Sequence, residues 1–322
     1  MIYLNDEHIR RIGVSWPLLA ERIERVLKLF GTPDVVQPVK PYLRFGHAAN
    51  RIIAMPAYVG GEIGISGIKW IASFPGNVGR GLPRAHGTIV LNDTGTGKPV
   101  AVLNGGMLNE LRTAAVSAVM LKAYFETRSL DRCRVGLIGW GPIGRRQLEM
   151  LFALFGDRIG SARLFDLRGI PEKSAKEIGG SGTEVASSWQ EAYRGSDIVL
   201  TCTASEERYI DEPPAPGALL LNVSLRDYKP ESIRGIRAIV VDSWREVCRE
   251  NTDIERMHLD AGLEERDVLT LKDVVHEGAL RTIDRAQPVF FNPMGMAAFD
   301  LAVAAHYAAE AGRLGIGIRL DD

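Results

Sequence analysis

The sequence predicts an α/β fold: a doubly wound parallel sheet in the second half of the chain, preceded by an α+β domain. Three observations predict it. Strand-like runs at residues 134–138, 162–165, 198–203, 218–223 and 238–241 alternate with stretches of helical length, the grammar of a parallel sheet with helices on its faces. The first of those runs passes directly into Gly139-Trp-Gly141-Pro142-Ile143-Gly144. Upstream the grammar differs, with short β-like runs at 42–45, 51–55, 63–74, 88–92 and 100–103 punctuated by Gly and Pro.

Each remaining element follows from local chemistry. Residues 17–30 carry Leu18, Leu19, Ile23, Val26, Leu27 and Phe30 at helical spacing, with Ser15 as N-cap, Pro17 in the first turn and Gly31 at the exit. Residues 109–125 return to helical spacing and are Ala-rich, as is the C-terminal stretch 294–314. The domain boundary is expected within the 109–125 helix or just after it. The first domain then covers 1–116, completed by a C-terminal helix in 300–322, and the second covers 117–299.

The bulk numbers bound the function. A chain of 322 residues, 46% hydrophobic and 25% charged, is an ordinary globular protein with room for two cores. Its formal net charge of −1 argues against general affinity for nucleic acid or an anionic membrane. No apolar stretch approaches the roughly 20 residues of a membrane span, and the start of the chain lacks the apolar run of a secretory signal. A cytoplasmic location is expected. Cys133, Cys202 and Cys248 share no metal-ligand spacing and read as reduced thiols. His47, His86, His258, His276 and His306 form no ligand pattern either, so no metal is expected.

The glycine loop has the context of a dinucleotide fingerprint, with a buried-type strand before it and a helix after it. Gly139 makes the tight turn, Gly141 admits the pyrophosphate, and Gly144 lets helix and strand pack closely, the arrangement of a Rossmann-type sheet. Pro142 and Ile143 open the helix, whose first N–H groups favour an anion. Asp166 ends the next strand-like run, at the offset expected of the carboxylate that binds the ribose hydroxyls. A carboxylate there repels a 2′-phosphate, so NAD is expected rather than NADP; Arg168, close by, is the residue that could accommodate a phosphate. Thr203, at the end of a later strand, completes the expected cofactor-binding set.

Lys69 lies mid-strand between apolar neighbours, either as a snorkelling surface lysine or as a buried cation that needs a partner. Arg112, on the Ala-rich helix, needs an anion from the protein or from a ligand if it is buried. Arg44, in Tyr42-Leu-Arg44-Phe, is a third cation in a semi-apolar setting. Together the three suggest a small ligand rich in carboxylates. Asp227 follows the 218–223 run, where open α/β sheets place ligands; it is either a proton-transfer group or a helix cap before Pro230.

With these residues laid out, the chain resembles the ornithine cyclodeaminase/mu-crystallin family. The resemblance runs through Met55-Pro56, Gly67-Ile-Lys69, Leu91-Asn-Asp93 with Thr96-Gly97, Leu111-Arg112-Thr113-Ala-Ala, the glycine loop and the segment to Asp227. It implies an N-terminal substrate-binding and dimerisation domain beside a Rossmann domain, a homodimer, and an NAD-dependent oxidoreductase acting on the CH–NH bond of an amino-acid substrate. By position, Arg44, Lys69 and Arg112 would hold substrate carboxylates, Asp227 would move the proton with Lys69 as a second catalytic group, and Thr113 would touch the cofactor phosphates. Residues 67–77 and 291–297 look most like the branch that oxidises a glutamate–diaminopropionate conjugate in diaminopropionate and siderophore biosynthesis. Cyclodeaminases resemble one another in carrying an acid shortly before Met-Pro; Ile53 stands there in this chain, which argues against ornithine. Sister reactions of the family, and ligand binding without turnover, are the competing expectations.

Overall fold

The computed structural model describes residues 1–47, 49–128 and 130–321. Ala48 and Ser129, inside the expected domains, and Asp322, at the end of the expected C-terminal segment, lie outside the described residues.

In chain order the first strands are β1 (Ile2–Leu4), β2 (Val35–Val36), β3 (Tyr42–Arg44), β4 (Arg51–Val59), β5 (Ile65–Ser73), β6 (Ala85–Asp93) and β7 (Pro99–Asn104). There follow β8 (Cys133–Ile138), β9 (Ile159–Phe165), β10 (Thr183–Val185), β11 (Ile198–Thr201), β12 (Leu219–Asn222), β13 (Ala238–Val241), β14 (Leu269–Thr270), β15 (Val289–Asn292) and β16 (Ile318–Arg319). By contacts the chain forms two compact units, one of residues 1–112 with 295–322 and one of residues 113–294.

The first unit is built on a mixed sheet of order β16-β1-β7-β6-β5-β4-β2, with β3 also paired to β4. The C-terminal helix Ala297–Leu314 packs on β4, β5 and β6 and against the helix Trp16–Leu29. One sheet face is therefore covered, and alternation sends every second side chain into it. Ser15 stands at the N-cap of Trp16–Leu29, but its hydroxyl makes no capping bond. β4 runs four residues past the expected end at 55, through Pro56. The reason is local: β3 pairs with residues 51–53 and β2 with residues 58–59, so between them β4 has no strand on its outer side and a missing N–H costs no ladder bond.

The second unit is an all-parallel sheet of order β10-β9-β8-β11-β12-β15-β13-β14, the predicted doubly wound α/β architecture. Its central strands β11, β12, β13 and β15 are buried at every position, as strands covered on both faces must be. β15 is absent from the sequence-based expectations, although it sits between β12 and β13. No helix among the described residues is long and apolar enough to cross a membrane.

Candidate active site

In the first unit, β5 turns Lys69 toward the covered face of the sheet. Its cross-strand neighbours there are Met55 and Ile89, both buried and apolar. Lys69 is itself only 1% exposed, which rules out the snorkelling alternative. Its Nζ donates to Asp300 Oδ1 at 2.8 Å and to Asn109 Oδ1 at 2.6 Å. Arg112, one helical turn beyond Asn109, donates through Nε to the same Asp300 oxygen at 2.9 Å and through Nη2 to Asn109 at 3.1 Å. Asp300 Oδ2 is buried and accepts no hydrogen bond among the described residues.

Lys40 is also buried and donates from Nζ to the Gly295 carbonyl at 2.8 Å. Gly295 has φ +85°, and a Cβ there would stand 2.9 Å from Arg112 Nη1. The glycine thus serves both the turn and the room for the guanidinium. Burial lowers the Lys69 pKa to about 8; Asp300 pulls it upward, while Arg112 and Lys40 push it down. Burial alone would raise Asp300, but the nearby charges of Arg112 and Lys69 hold it below the usual carboxylate range.

Arg44 departs from the expected semi-apolar setting. It is exposed on the short strand β3, with its guanidinium 5.4 Å from the Tyr42 ring. Strand register nevertheless gives it the same sheet face as Lys69. The cross-strand row Tyr42, Ile53, Ile71 lies one step along from Met55 and Lys69, and the row Arg44, Arg51, Ser73 lies one step further. Four residues of strand separate the two rows of cations, about 14 Å at ~3.4 Å per residue. The short edge strand β3 leaves both its faces open, and this explains the exposure.

The second unit builds the glycine loop. Gly139 has φ +104°, and a Cβ on it would meet the Cys202 carbonyl oxygen at 2.5 Å. A Cβ on Gly144 would lie 2.0 Å from the Gly139 carbonyl oxygen, whereas at Gly141 nothing stands within 4 Å. The helix Pro142–Phe155 begins at Gly141 without a side-chain cap, so its first turn presents backbone N–H groups to that open space. Pro142 and Ile143 occupy this turn. Asp166 Oδ2 accepts the Trp140 amide at 2.7 Å, and Oδ1 accepts the Arg168 amide at 2.9 Å. Burial would raise Asp166, but these amides, with the Arg168 side chain, hold its pKa down and keep a carboxylate beside the loop. Arg168 Nε lies 3.3 Å from Asp166, on a mostly exposed side chain. The open cradle, the uncapped helix and the anchored acid fit a dinucleotide.

Asp227 lies beyond the carboxyl end of β12 and is fully buried. Its Oδ1 accepts the Thr203 hydroxyl and its Oδ2 the Ser224 hydroxyl. The helix Pro230–Ile233 has Lys229 at its N-cap, which removes the capping alternative for Asp227. Thr203, expected beside the cofactor, directs its hydroxyl to Asp227. Thr113 opens the second unit on the helix Gly105–Thr127 and is partly buried.

Several residues of these sites are absent from the sequence-based set. Asp300 had a signal: it is the single charge in the apolar run 296–305. Asn109 sits three residues before Arg112, the spacing of one helix face. Lys40 and Ser224 carry no sequence signal that separates them from surface residues.

The ornithine cyclodeaminase/mu-crystallin family model matches residues 9–311. The chain belongs to this family. It is 33% identical, over 100% of its length and 98% of the relative's, to the N-((2S)-2-amino-2-carboxyethyl)-L-glutamate dehydrogenase of Staphylococcus aureus. It is 27% identical to the ketimine reductase mu-crystallin of Mus musculus, over 94% of this chain and 95% of that one. Among solved structures, an archaeal alanine dehydrogenase dimer with bound NAD superposes with a TM-score of 0.83 at 25% identity, covering 100% of this chain and 99% of that one.

Proposed function

We propose that this family member oxidises the secondary amine joining a glutamate unit to 2,3-diaminopropionate, N-((2S)-2-amino-2-carboxyethyl)-L-glutamate. The protein is an NAD-dependent oxidoreductase acting on an amino-acid substrate. The observation that carries the choice of substrate is the buried cluster of Lys69 and Arg112 on Asp300, with Lys40 beside it and Arg44 further along the same sheet face. A substrate with three carboxylates needs such a row of cations. Similarity over full length to the staphylococcal dehydrogenase supports the same substrate class.

Bound NAD supplies the hydride acceptor. Gly141 would leave room for its pyrophosphate at the turn that Gly139 makes and Gly144 packs, the first helical turn, opened by Pro142, would offer amides from Ile143 onward, and Asp166 would take the ribose hydroxyls. Thr113 reaches the phosphates, and Arg168 and Thr203 complete the cofactor contacts. Lys69, Arg112 and Arg44 hold the substrate carboxylates. Asp227 accepts the proton of the secondary ammonium, freeing the nitrogen lone pair that drives hydride off the glutamate α-carbon. Water then adds to the resulting C=N bond with Asp227 or Lys69 as base. The adduct breaks its C–N bond to give 2-oxoglutarate and 2,3-diaminopropionate, a role in supplying diaminopropionate for siderophore assembly.

A homodimer follows from the same reading. The helices cover one face of the first sheet, while the other presents Pro56, Tyr58, Ile68 and the 41%-exposed Trp70. An apolar sheet face of this kind needs a partner, and a second copy provides one.

Incubation with the conjugate and NAD tests the proposal: NADH, 2-oxoglutarate and diaminopropionate should form in equal amounts. Ammonia release from ornithine without net NADH, or turnover of alanine or a ketimine in place of the conjugate, would overturn it. Ile53, on the Lys69 face where an acid would meet a distal amine, argues against ornithine.

A further inference from the structure

The segment that carries Asp227 is held from behind by one buried carboxylate. Asp253, 1% exposed, accepts on Oδ2 from the Asp227 amide at 3.1 Å, the Tyr228 amide at 3.1 Å and Asn222 Nδ2 at 2.9 Å. Its Oδ1 accepts from Arg208 Nε at 2.6 Å. Its own amide donates back to the Leu225 carbonyl at 2.8 Å. Asn222 also accepts from the Leu225 amide and donates to Asn292, so the ends of β12 and β15 share the network.

The held segment is not at rest by itself. Leu225 adopts φ +69°, and Glu250 and Asn251, just before Asp253, adopt φ +64° and +55°. Side chains other than glycine reach this left-handed region at a cost, and a leucine there is a marked outlier. Arg226 donates to the Glu250 carbonyl and Arg208 to the Asn251 carbonyl, so two guanidinium groups clamp these strained turns together. Geometry stored in this way persists only where the surroundings over-determine it.

We propose that Asp253 is the positioning residue for Asp227: as a carboxylate it gathers the two amides after the strained Leu225 turn and so sets the direction in which the Asp227 carboxyl group points. This rests on the reading of Asp227 as the proton-transfer group. Among the described residues, the titratable and charged groups facing Asp253 are Arg208, from the segment after β11, the Tyr228 phenol and Asp227 itself. Burial raises the Asp253 pKa to about 6, against the pull of Arg208 and of the Tyr228 amide. Protonation on mild acidification therefore weakens its hold on both amides.

The test is Asp253→Asn, with Arg208→Lys as a gentler second variant and Asp227→Asn in parallel. In a crystal structure of Asp253→Asn, Leu225 should leave the left-handed region and the Asp227 carboxyl group should move by about 1 Å or more, enough to cost about a hundredfold in turnover. kcat should fall with KM for the conjugate and NADH affinity within about twofold of wild type. Arg208→Lys should move the acid limb of the kcat profile upward by about half a pH unit. An unmoved 223–228 segment in Asp253→Asn overturns the inference. Should that variant not fold, an unshifted acid limb in Arg208→Lys does so. Loss of turnover in Asp227→Asn with both other variants unaffected removes the positioning role alone. Full turnover in Asp227→Asn removes the acid–base reading beneath it.

Discussion

Lys69 Nζ donates to Asp300 Oδ1 at 2.8 Å, and both side chains are almost wholly withdrawn from solvent. The cluster as a whole is positive, because Arg112 binds the same oxygen. Asp300 thus acts as the fixed counter-ion of a site with positive charge to spare. Its ionisation contributes stability that is present at neutral pH and is lost as pH falls through its lowered folded value. Lys69 runs the other way. Between about 8 and the ordinary lysine value the folded chain has released a proton that the unfolded chain still holds, so stability rises with pH across that window.

Asp300→Asn should therefore lower Lys69 further. If protonated Lys69 holds a substrate carboxylate, wild-type KM should climb above pH 8, and in Asp300→Asn that climb should begin roughly one pH unit earlier. KM measured against pH decides it, and an unmoved limb would show that Asp300 does not set the lysine's charge.

Arg112→Ala should reduce kcat/KM by about 30- to 1000-fold, the equivalent of ~2–4 kcal/mol for a desolvated carboxylate anchor. Steady-state kinetics on the conjugate provide the measurement. Wild-type kcat/KM would take Arg112 out of the substrate site and leave it as a structural partner of Asp300.

Gly141→Ala and Gly144→Ala should separate ligand room from packing room. A methyl group at 141 enters open space, so that variant should keep its thermal midpoint and lose NADH affinity by about tenfold or more. A methyl group at 144 drives into the Gly139 carbonyl, so that variant should lose both affinity and stability, by about 1–3 kcal/mol. Titration calorimetry and thermal melts together test the contrast; unchanged NADH binding in Gly141→Ala would contradict the cradle.

Asp166→Ser should weaken NAD use and improve NADP use, since it removes the charge that repels a 2′-phosphate and releases Arg168 from its pair. The ratio of kcat/KM for the two cofactors should shift by about tenfold or more toward NADP. A ratio that stays at its wild-type value would mean that the acid does not face the ribose.

The second unit was largely legible in the sequence because its signals are local. β8 runs into the glycine loop, Asp166 closes β9, and apolar runs of strand length mark β11, β12 and β13. β15 escaped because Val289–Asn292 is four residues long, follows a proline, and precedes another at 293. In the first unit Lys69 and Arg112 were visible as cations among apolar neighbours. Their partner was not, since Asp300 lies 231 residues from Lys69 and only the tertiary fold joins them. Arg44 shows the converse limit: apolar neighbours in sequence do not bury a side chain when the strand is short and lies at an edge.

The late position of β15 bears on biosynthesis. Both β12 and β13 reach it through hydrogen bonds, so until residue 292 is made each keeps one bare edge. Residues 295–314 are needed in turn to cover the other sheet and to deliver Asp300. A nascent chain lacking its last tenth therefore has neither half finished, and ribosome-bound or prematurely terminated forms are the ones most in need of chaperones.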